Sequence, residues 1–145
     1  MIVPAFILAM QKAGLGQASK NGGIFWEEFP QWNGATGLCV ISRADAGTDN
    51  NAQQISLDIL AMFNRKMTNE AKLRQVINWI RGDAQDICQL SINPHDLDSL
   101  QANEVITYDI ISIEQTATIV NQGITQSNQI IKGITVQIKF NERSK

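Results

Sequence analysis

The sequence is poor in the residues that usually carry chemistry. Its 145 residues include two cysteines and one histidine. Cys39 and Cys88 lie in apolar stretches and form no CxxC motif, so we interpret them as small buried side chains in a reducing compartment; a disulfide or redox pair is the alternative. A zinc site needs more histidine or cysteine than one short stretch of this chain supplies. The composition therefore gives little support to a redox or zinc centre.

Positive charge is also too scarce for a nucleic-acid binder. The formal net charge is −2 and the pI is about 5.3, whereas affinity for nucleic acid depends on clustered Lys and Arg. The apolar start, MIVPAFILAM, lacks the basic residues and the A-x-A site of a signal peptide. It is also too short to span a bilayer. We expect a buried helix here and a protein that is made in the cytoplasm.

Charge is absent altogether from residues 115–131, which carry no Asp, Glu, Lys or Arg. Residues 116–131 read TATIVNQGITQSNQII, which is β-branched and rich in amides. Such a composition suits a surface that is polar but desolvated, as in subunit packing, or a loop that awaits a partner. Because two strongly β-patterned runs flank this stretch, we expect it to form the tip of a C-terminal hairpin and to be an assembly contact.

Hydropathy patterns predict two helices and several strands. Val3, Phe6, Ile7 and Met10 recur at helical spacing, which predicts a helix over 3–13. A second apolar stripe predicts a helix that is capped by Thr68 or Asn69 and ended by Gly82. Strands are predicted at 24–29, 37–42, 53–63, 87–92, 105–119 and 130–140. An exposed loop is predicted at 43–51, and another loop at 94–103.

This order of elements predicts an α+β fold in a single domain, 1–145. The sheet is expected to be mainly antiparallel, with two helices packed on one face and a long C-terminal β-hairpin. The other face of the sheet keeps many apolar positions, which we expect something to cover. We place Trp79 in the core or at its edge. Trp32, in a loop, suits a contact role and local packing equally well.

Few side chains are candidates for catalysis or metal binding. His95, Asp96 and Asp98 lie within four residues and suit either a hard metal ion or an acid–base pair; the alternative is a solvated loop. Glu27 and Glu28 are adjacent on a predicted strand and should point to opposite faces, which does not suit a pair of catalytic carboxylates. We predict no catalytic, cofactor-binding or metal-binding residues.

Basic and acidic residues are separated along the chain. The second helix and its approach carry a basic cluster, and residues 83–114 contain seven acids and no Lys or Arg. The basic residues are Arg65, Lys66, Lys72, Arg74 and Arg81. One interpretation is a solvated helix face. The other pairs the two regions, within one chain as a salt network or between copies as a head-to-tail contact that can close into a ring.

Several segments carry a resemblance to a known family. These are a short N-terminal helix, residues 26–30 (WEEFP), the strand 38–42 (LCVIS), the strand end 60–63 (LAMF), the helix 73–80 (LRQVINWI) and the final paired strands. In order and size these elements resemble the tail terminator (tail-completion) proteins of long-tailed bacteriophages and related minor tail, minor capsid or neck proteins. The likeness covers nearly the whole chain.

The resemblance implies a structural virion protein. It implies a homohexameric ring that caps the tail tube, terminates its polymerisation and joins it to the head connector. The implied partners are further copies of the chain, the tail tube protein and a head-completion or connector protein. DNA would pass through the lumen without specific binding, and no membrane is involved. The implied location is the tail or neck of the virion, assembled in the cytoplasm of the bacterial host.

The candidate contact residues lie in three regions. They are Trp32; Arg43, Asp45 and Asp49; and Thr118, Ile119, Val120, Asn121, Gln122, Ile124, Gln126 and Asn128. Two alternatives stay open. One is a head–tail joining or neck protein, or a tail tube subunit, of related fold. The other is a small enzyme or metal-binding domain that uses His95, Asp96 and Asp98.

Overall fold

The protein is an α+β domain, as the sequence predicts. The computed structural model describes residues 2–29, 35–43, 47–49, 52–92, 105–124 and 129–143. Its helices are α1 (Ile2–Lys12) and α2 (Lys66–Arg81), and a short 3-10 helix (Asp83–Asp86) follows α2. Its strands are β1 (Ile24–Trp26), β2 (Gly37–Ser42), β3 (Gly47–Asp49), β4 (Ala52–Phe63), β5 (Gln89–Ile92), β6 (Ile106–Ile124) and β7 (Ile130–Glu142).

One mostly antiparallel sheet contains these strands, in the order β1-β2-β4-β7-β6-β5, with β3 paired to the start of β4. Among the described pairs of strands, only β1–β2 is parallel; the isolated bridge between Ala18 and Ile24 is parallel as well. This pair depends on a close approach of backbone, because a Cβ on Gly37 would lie 2.7 Å from the Gly23 carbonyl oxygen. The prediction of an exposed loop over 43–51 is wrong at residues 47–49. These residues form β3, which pairs with the first residues of β4.

Helix α1 begins and ends within one residue of its prediction and is apolar on most of its circumference. Ile2, Val3, Phe6 and Met10 are buried in the core cluster. The Phe6 ring lies 5.5 Å from that of Trp79, whose predicted place in the core is confirmed. α1 contacts β1, β2 and β5, which stand at opposite ends of the strand order. The sheet therefore curls around this helix.

Helix α2 begins earlier than predicted, with Arg65 as its N-cap, and no side chain caps it. Thr68 and Asn69 lie inside its first turn. Asn69 is fully buried, and its Nδ2 donates to the Ile130 carbonyl oxygen over 2.6 Å. Asn69 therefore fastens α2 to the sheet and does not cap the helix. The predicted end of the helix at Gly82 is confirmed.

The two faces of the sheet differ in polarity. Leu57, Ile59 and Ala61 of β4 are buried in the core cluster, which confirms the predicted alternation of this strand. The face opposite carries Ser56 and Asp58 on β4, with Gln137 and Thr135 beside them on β7. The prediction of many apolar positions on this second face is therefore wrong for the centre of the sheet.

Apolar side chains on the second face gather near β1 and β2. Phe25, Cys39 and Met62 are buried there, outside the main core cluster. Ala35, in the connection from β1 to β2, is also buried, and its carbonyl oxygen accepts from Gln129 Nε2 over 2.9 Å. This confirms a buried Cys39. The prediction for Cys88 is wrong, because its side chain is exposed just before β5.

Strand β6 is longer and less regular than predicted. It continues to Ile124, so residues 115–124 of the uncharged stretch are strand and not loop. Its register against β7 shifts at four places, each of which adds one residue to β6. The first shift falls between Ile110 and Ser112, so Ile111 is exposed and Ile113 returns to the core. Such bulges bend a strand and increase its twist, which fits the curl of the sheet.

Candidate assembly surface

Along most of β6, no strand of the described residues pairs with the outer edge. β5 pairs only with residues 106–109, and its cover ends where the Ile110 N–H donates to the Cys88 carbonyl oxygen over 2.9 Å. We call residues 111–124 the β6 edge; no described strand pairs with their outer side. Such an edge offers backbone N–H and C=O groups to another chain. Two of its carbonyl oxygens are already occupied: Ile113 O accepts from Gln85 Nε2 over 2.8 Å, and Ala117 O accepts from Gln115 Nε2 over 3.0 Å. Its bulges limit how regularly a second strand can pair with it.

The β6 edge also exposes apolar side chains. Ile111 is 56% exposed and Val120 is 48% exposed, and Thr118 and Asn121 are exposed beside them. Glu114 is the one charged residue of the edge. A surface with exposed apolar side chains and almost no charge is easily desolvated, as the centre of a protein interface requires.

The predicted contact residues other than Arg43 fall into two groups. Thr118, Val120 and Asn121 are exposed on the β6 edge, and Ile119 is half-buried beside them. The backbones of Gln122 and Ile124 also belong to this edge. Trp32, Asp45, Gln126 and Asn128 lie outside the described residues, and of Asp49 only the place of its backbone in β3 is described.

Arg43 takes part in a polar network on the second face of the sheet. Its guanidinium bonds both carboxylate oxygens of Asp58, with Nη2 3.1 Å from Oδ1 and Nε 3.1 Å from Oδ2. Thr135 Oγ1 donates to Asp58 Oδ1 over 2.9 Å, and Thr116 Oγ1 donates to the Thr135 carbonyl oxygen over 3.4 Å. Charge-assisted paired bonds of this kind fix the geometry of a side chain. Arg43 is therefore held by its own chain, and two strands, β4 and β7, separate it from β6.

A groove of about 430 Å³ lies between α2 and the β6 edge. Arg74, Ile77 and Arg81 line it from α2, and Thr118 and Ile119 line it from β6. The structure thus brings part of the predicted basic cluster next to two predicted contact residues. Sequence reasoning did not join them, because their proximity depends on how the helix crosses the sheet.

A second cavity, of about 520 Å³, lies where α1, the end of α2 and β5 meet. Ala5, Leu8 and Trp79 supply apolar walls, and Lys12 and Asp83 are the charged residues of its lining. Its lining joins apolar walls with a few polar groups, as small-molecule sites do, and the described residues of that lining include no histidine or cysteine.

The carboxylates of Glu27 and Glu28 do not stand on a strand as predicted, because β1 ends at Trp26. Glu27 has φ of 69°, and its Oε1 accepts from Ser42 Oγ over 2.8 Å and from Trp26 Nε1 over 3.0 Å.

Burial raises the pKa of the Cys39 thiol to about 12, and the charges of Glu27 and Glu28 add to the rise. Cys39 is therefore a protonated, unreactive thiol at neutral pH.

The remaining chemical candidates lie elsewhere. His95, Asp96 and Asp98 are outside the described residues. Among the described residues there is no group of three His, Cys, Asp or Glu side chains that could hold a metal ion. Within the same part of the chain, no helix has the length and apolar character needed to cross a membrane. Comparison of the sequence with models of protein families, and with curated proteins, gave no match.

Proposed function

We propose that this protein is a structural, ring-forming virion protein that caps the tail tube of a long-tailed phage, ends its polymerisation and joins it to the head connector. The β6 edge is the observation that supports this best. It combines a strand edge that no described strand pairs with, exposed Ile111 and Val120, and almost no charge. A monomer that kept such an edge free would risk uncontrolled pairing, whereas a ring gives it a defined partner.

The finer architecture belongs to this proposal. Both helices cover the same face of the sheet, and the hairpin of β6 and β7 projects towards the next subunit or the tube. Two features support it: α1 and α2 contribute to one core cluster, and β6 pairs with β7 along most of its length. The sheet's polar second face suits a wall that DNA passes without being held, because Arg43 is already paired with Asp58.

Polymerisation of tail tubes in vitro tests the proposed activity. Purified protein is added to growing tubes of the matching tail tube protein, and tube lengths are measured by negative-stain electron microscopy. We expect shorter tubes of narrower length distribution, with extra density at one end. Bovine serum albumin at equal concentration serves as the control. Tubes that grow to the same lengths with and without the protein, and carry no cap, would contradict the proposal.

Deletion of residues 120–128 tests whether the end of the β6 edge is needed for ring formation and tube capping. We expect this variant to fold but to lose its ring and its effect on tube length, because the end of the β6 edge is gone. Circular dichroism checks the fold, and electron microscopy checks the ring. Rings of normal size and normal tube capping by the deletion variant would refute a role for this segment.

A further inference from the structure

The groove between α2 and the β6 edge combines positive charge with an apolar floor. Arg74 and Arg81 of α2 are both exposed, and within the described part of the chain neither takes part in an ion pair. Ile77 and Ile119 are half-buried beside them, and the space between helix and strand is about 430 Å³. An aromatic ring fits such a space, since pockets for small molecules start at about 300 Å³. Because guanidinium groups pair with carboxylates and stack on aromatic faces, the groove suits a ligand with both.

The end of β1 carries this combination of an aromatic ring and carboxylates. Trp26 is 44% exposed, and Glu27 and Glu28, which follow it, are exposed as well. Within the described residues, neither of these carboxylates takes part in an ion pair. We call these three residues the β1 end. Tryptophan is enriched at the energetic centres of protein interfaces, and the two carboxylates have the sign of charge that complements the groove.

Hydrogen bonds hold the β1 end in one conformation. Glu27 has φ of 69°, and its N–H donates to the Val40 carbonyl oxygen over 2.9 Å. Its Oε1 accepts from Trp26 Nε1 and from Ser42 Oγ, and the Glu28 N–H donates to the Trp26 carbonyl oxygen over 2.9 Å. A residue other than glycine keeps this backbone conformation only where its surroundings fix it. A surface that is already ordered loses less entropy when it binds.

The β1 end does not fill the groove of its own chain. β1 begins the strand order, and β2, β4 and β7 separate it from β6. Trp26 is exposed in the structure, and none of the described residues that line the groove belongs to the β1 end. The two complementary surfaces of one chain therefore stay apart. Two copies of the chain can join them.

We propose that the groove between α2 and the β6 edge binds the β1 end of a second copy of this chain, in a head-to-tail contact. The indole of Trp26 lies on the apolar floor, and the carboxylate of Glu28 faces the guanidinium groups of the groove. This inference rests on the proposed function, because it assigns one contact of the ring. Since the two surfaces differ, every dimer keeps one groove and one β1 end free. Such a contact continues from copy to copy and closes into a ring when the rotation allows.

Two variants with neutral changes test the contact. The β1-end variant is the full chain with Trp26→Ala and Glu28→Gln, and the groove variant is the full chain with Arg74→Gln and Arg81→Gln. We expect each variant alone to assemble only at concentrations at least about tenfold above the wild type, because buried Trp and Arg side chains dominate interface affinity. Light scattering after size exclusion measures the masses, and circular dichroism checks the fold.

A control variant separates this effect from a general loss of charge. Lys12→Gln and Arg65→Gln together remove two exposed positive charges that do not line the groove. This control should assemble at the concentration of the wild type. If it is weakened as much as the groove variant, net charge and not the groove controls assembly, and the inference is wrong.

A mixture of the two variants tests the direction of the contact. The β1-end variant keeps an intact groove and the groove variant keeps an intact β1 end, so they form one complete contact and cannot extend it. We expect the labelled β1-end variant to bind the groove variant saturably at 1:1 in fluorescence anisotropy, with an affinity that falls as NaCl is raised. Each variant should bind a labelled copy of itself at least about tenfold more weakly.

Exchange of the charges tests the same contact without changing Trp26. A chain with Glu28→Arg, and a chain with Arg74→Glu and Arg81→Glu, should each stay unassembled at the concentration where the wild type assembles. The chain with all three changes should assemble again, because its groove and its β1 end are complementary once more. Restored assembly also shows that this chain folds.

The outcomes separate this inference from the proposed function. Binding between the two unlike variants, together with restored assembly of the chain with exchanged charges, supports the inference. Neutral and charge-reversed variants that all assemble at the wild-type concentration would overturn the inference and leave the ring standing. A wild-type chain that stays monomeric at every concentration would overturn the proposed function, and with it a second copy as the occupant of the groove.

Discussion

Replacing Val120 by lysine should prevent self-association and leave the subunit folded. Val120 is 48% exposed on the β6 edge and lies opposite Gly133 of β7, so a longer side chain has room. Lysine is also the residue with which natural edge strands resist pairing. Because the site is outside the core, the free energy of unfolding should change by no more than about 0.5 kcal/mol.

The effect on assembly follows from the exposed area. Half of a valine side chain is about 60 Å² of apolar surface, and its burial at about 25 cal/mol per Å² contributes ~1.5 kcal/mol to one subunit contact. An unpaired ammonium in the same place adds a desolvation cost. Since ~1.4 kcal/mol is tenfold in a dissociation constant, the concentration at which Val120→Lys assembles should rise by at least about tenfold.

Light scattering after size exclusion, over a series of loading concentrations, measures this shift. Met67→Lys is the matched control, because Met67 is 82% exposed on the first turn of α2 and does not belong to the β6 edge. Thermal unfolding shows whether both variants keep the wild-type fold. If Val120→Lys assembles at the same concentration as the wild type and Met67→Lys, the β6 edge is not a subunit contact.

Three further predictions concern the fold. Phe6→Ala should lower the free energy of unfolding by about 3–5 kcal/mol, measured by urea denaturation, because Phe6 is fully buried against Trp79. A loss below about 1 kcal/mol would contradict this packing of α1. Native protein should react with one equivalent of a thiol reagent, through exposed Cys88, and denatured protein with two, because burial raises the pKa of Cys39 to about 12; two fast equivalents in native protein would refute the buried thiol. Burial, and then the charge of Glu142, raise the pKa of Tyr108 from 10.0 to about 12. The unfolded chain therefore loses this proton first, so stability should fall between pH 10 and 12, and Tyr108→Phe should flatten that fall relative to the wild type; equal slopes would contradict it.

The regular elements could be predicted from the sequence because the hydropathy pattern within each of them keeps the same period from end to end. The helical spacing of Phe6 and Met10 predicts α1, and the alternation of Leu57 and Ile59 predicts β4; both predictions are confirmed. These patterns depend only on which side of an element faces the core. They require no knowledge of what the element packs against.

The remaining features depend on contacts between distant residues. Asn69 is a good N-cap by type, but its side chain is buried and donates to Ile130, sixty-one residues away. Cys88 lies among apolar residues, yet it is exposed because β5 begins only after it. The parallel pairing of β1 with β2 depends on a close contact between the backbones at Gly23 and Gly37, and no local sequence pattern predicts this contact.

Strand β6 is hard to predict from the sequence because bulges interrupt its alternating pattern. A single period of two cannot describe it, because each bulge moves the next residues to the other face. The adjacent pair Ile110-Ile111, followed by Ser112 and Ile113, carries the signal of the first bulge. The candidate surface follows the same rule: its uncharged composition is visible in the sequence, but its place on an unpaired edge beside Arg74 and Arg81 is not.

The mass of the wild-type protein in solution tests the central claim most directly. Six subunits of 16.0 kDa give about 96 kDa, and light scattering measures that mass without reference to shape. We expect a particle near this mass at micromolar concentration, and we expect electron microscopy to show it as a ring. A particle of 16.0 kDa at every concentration tested would contradict it.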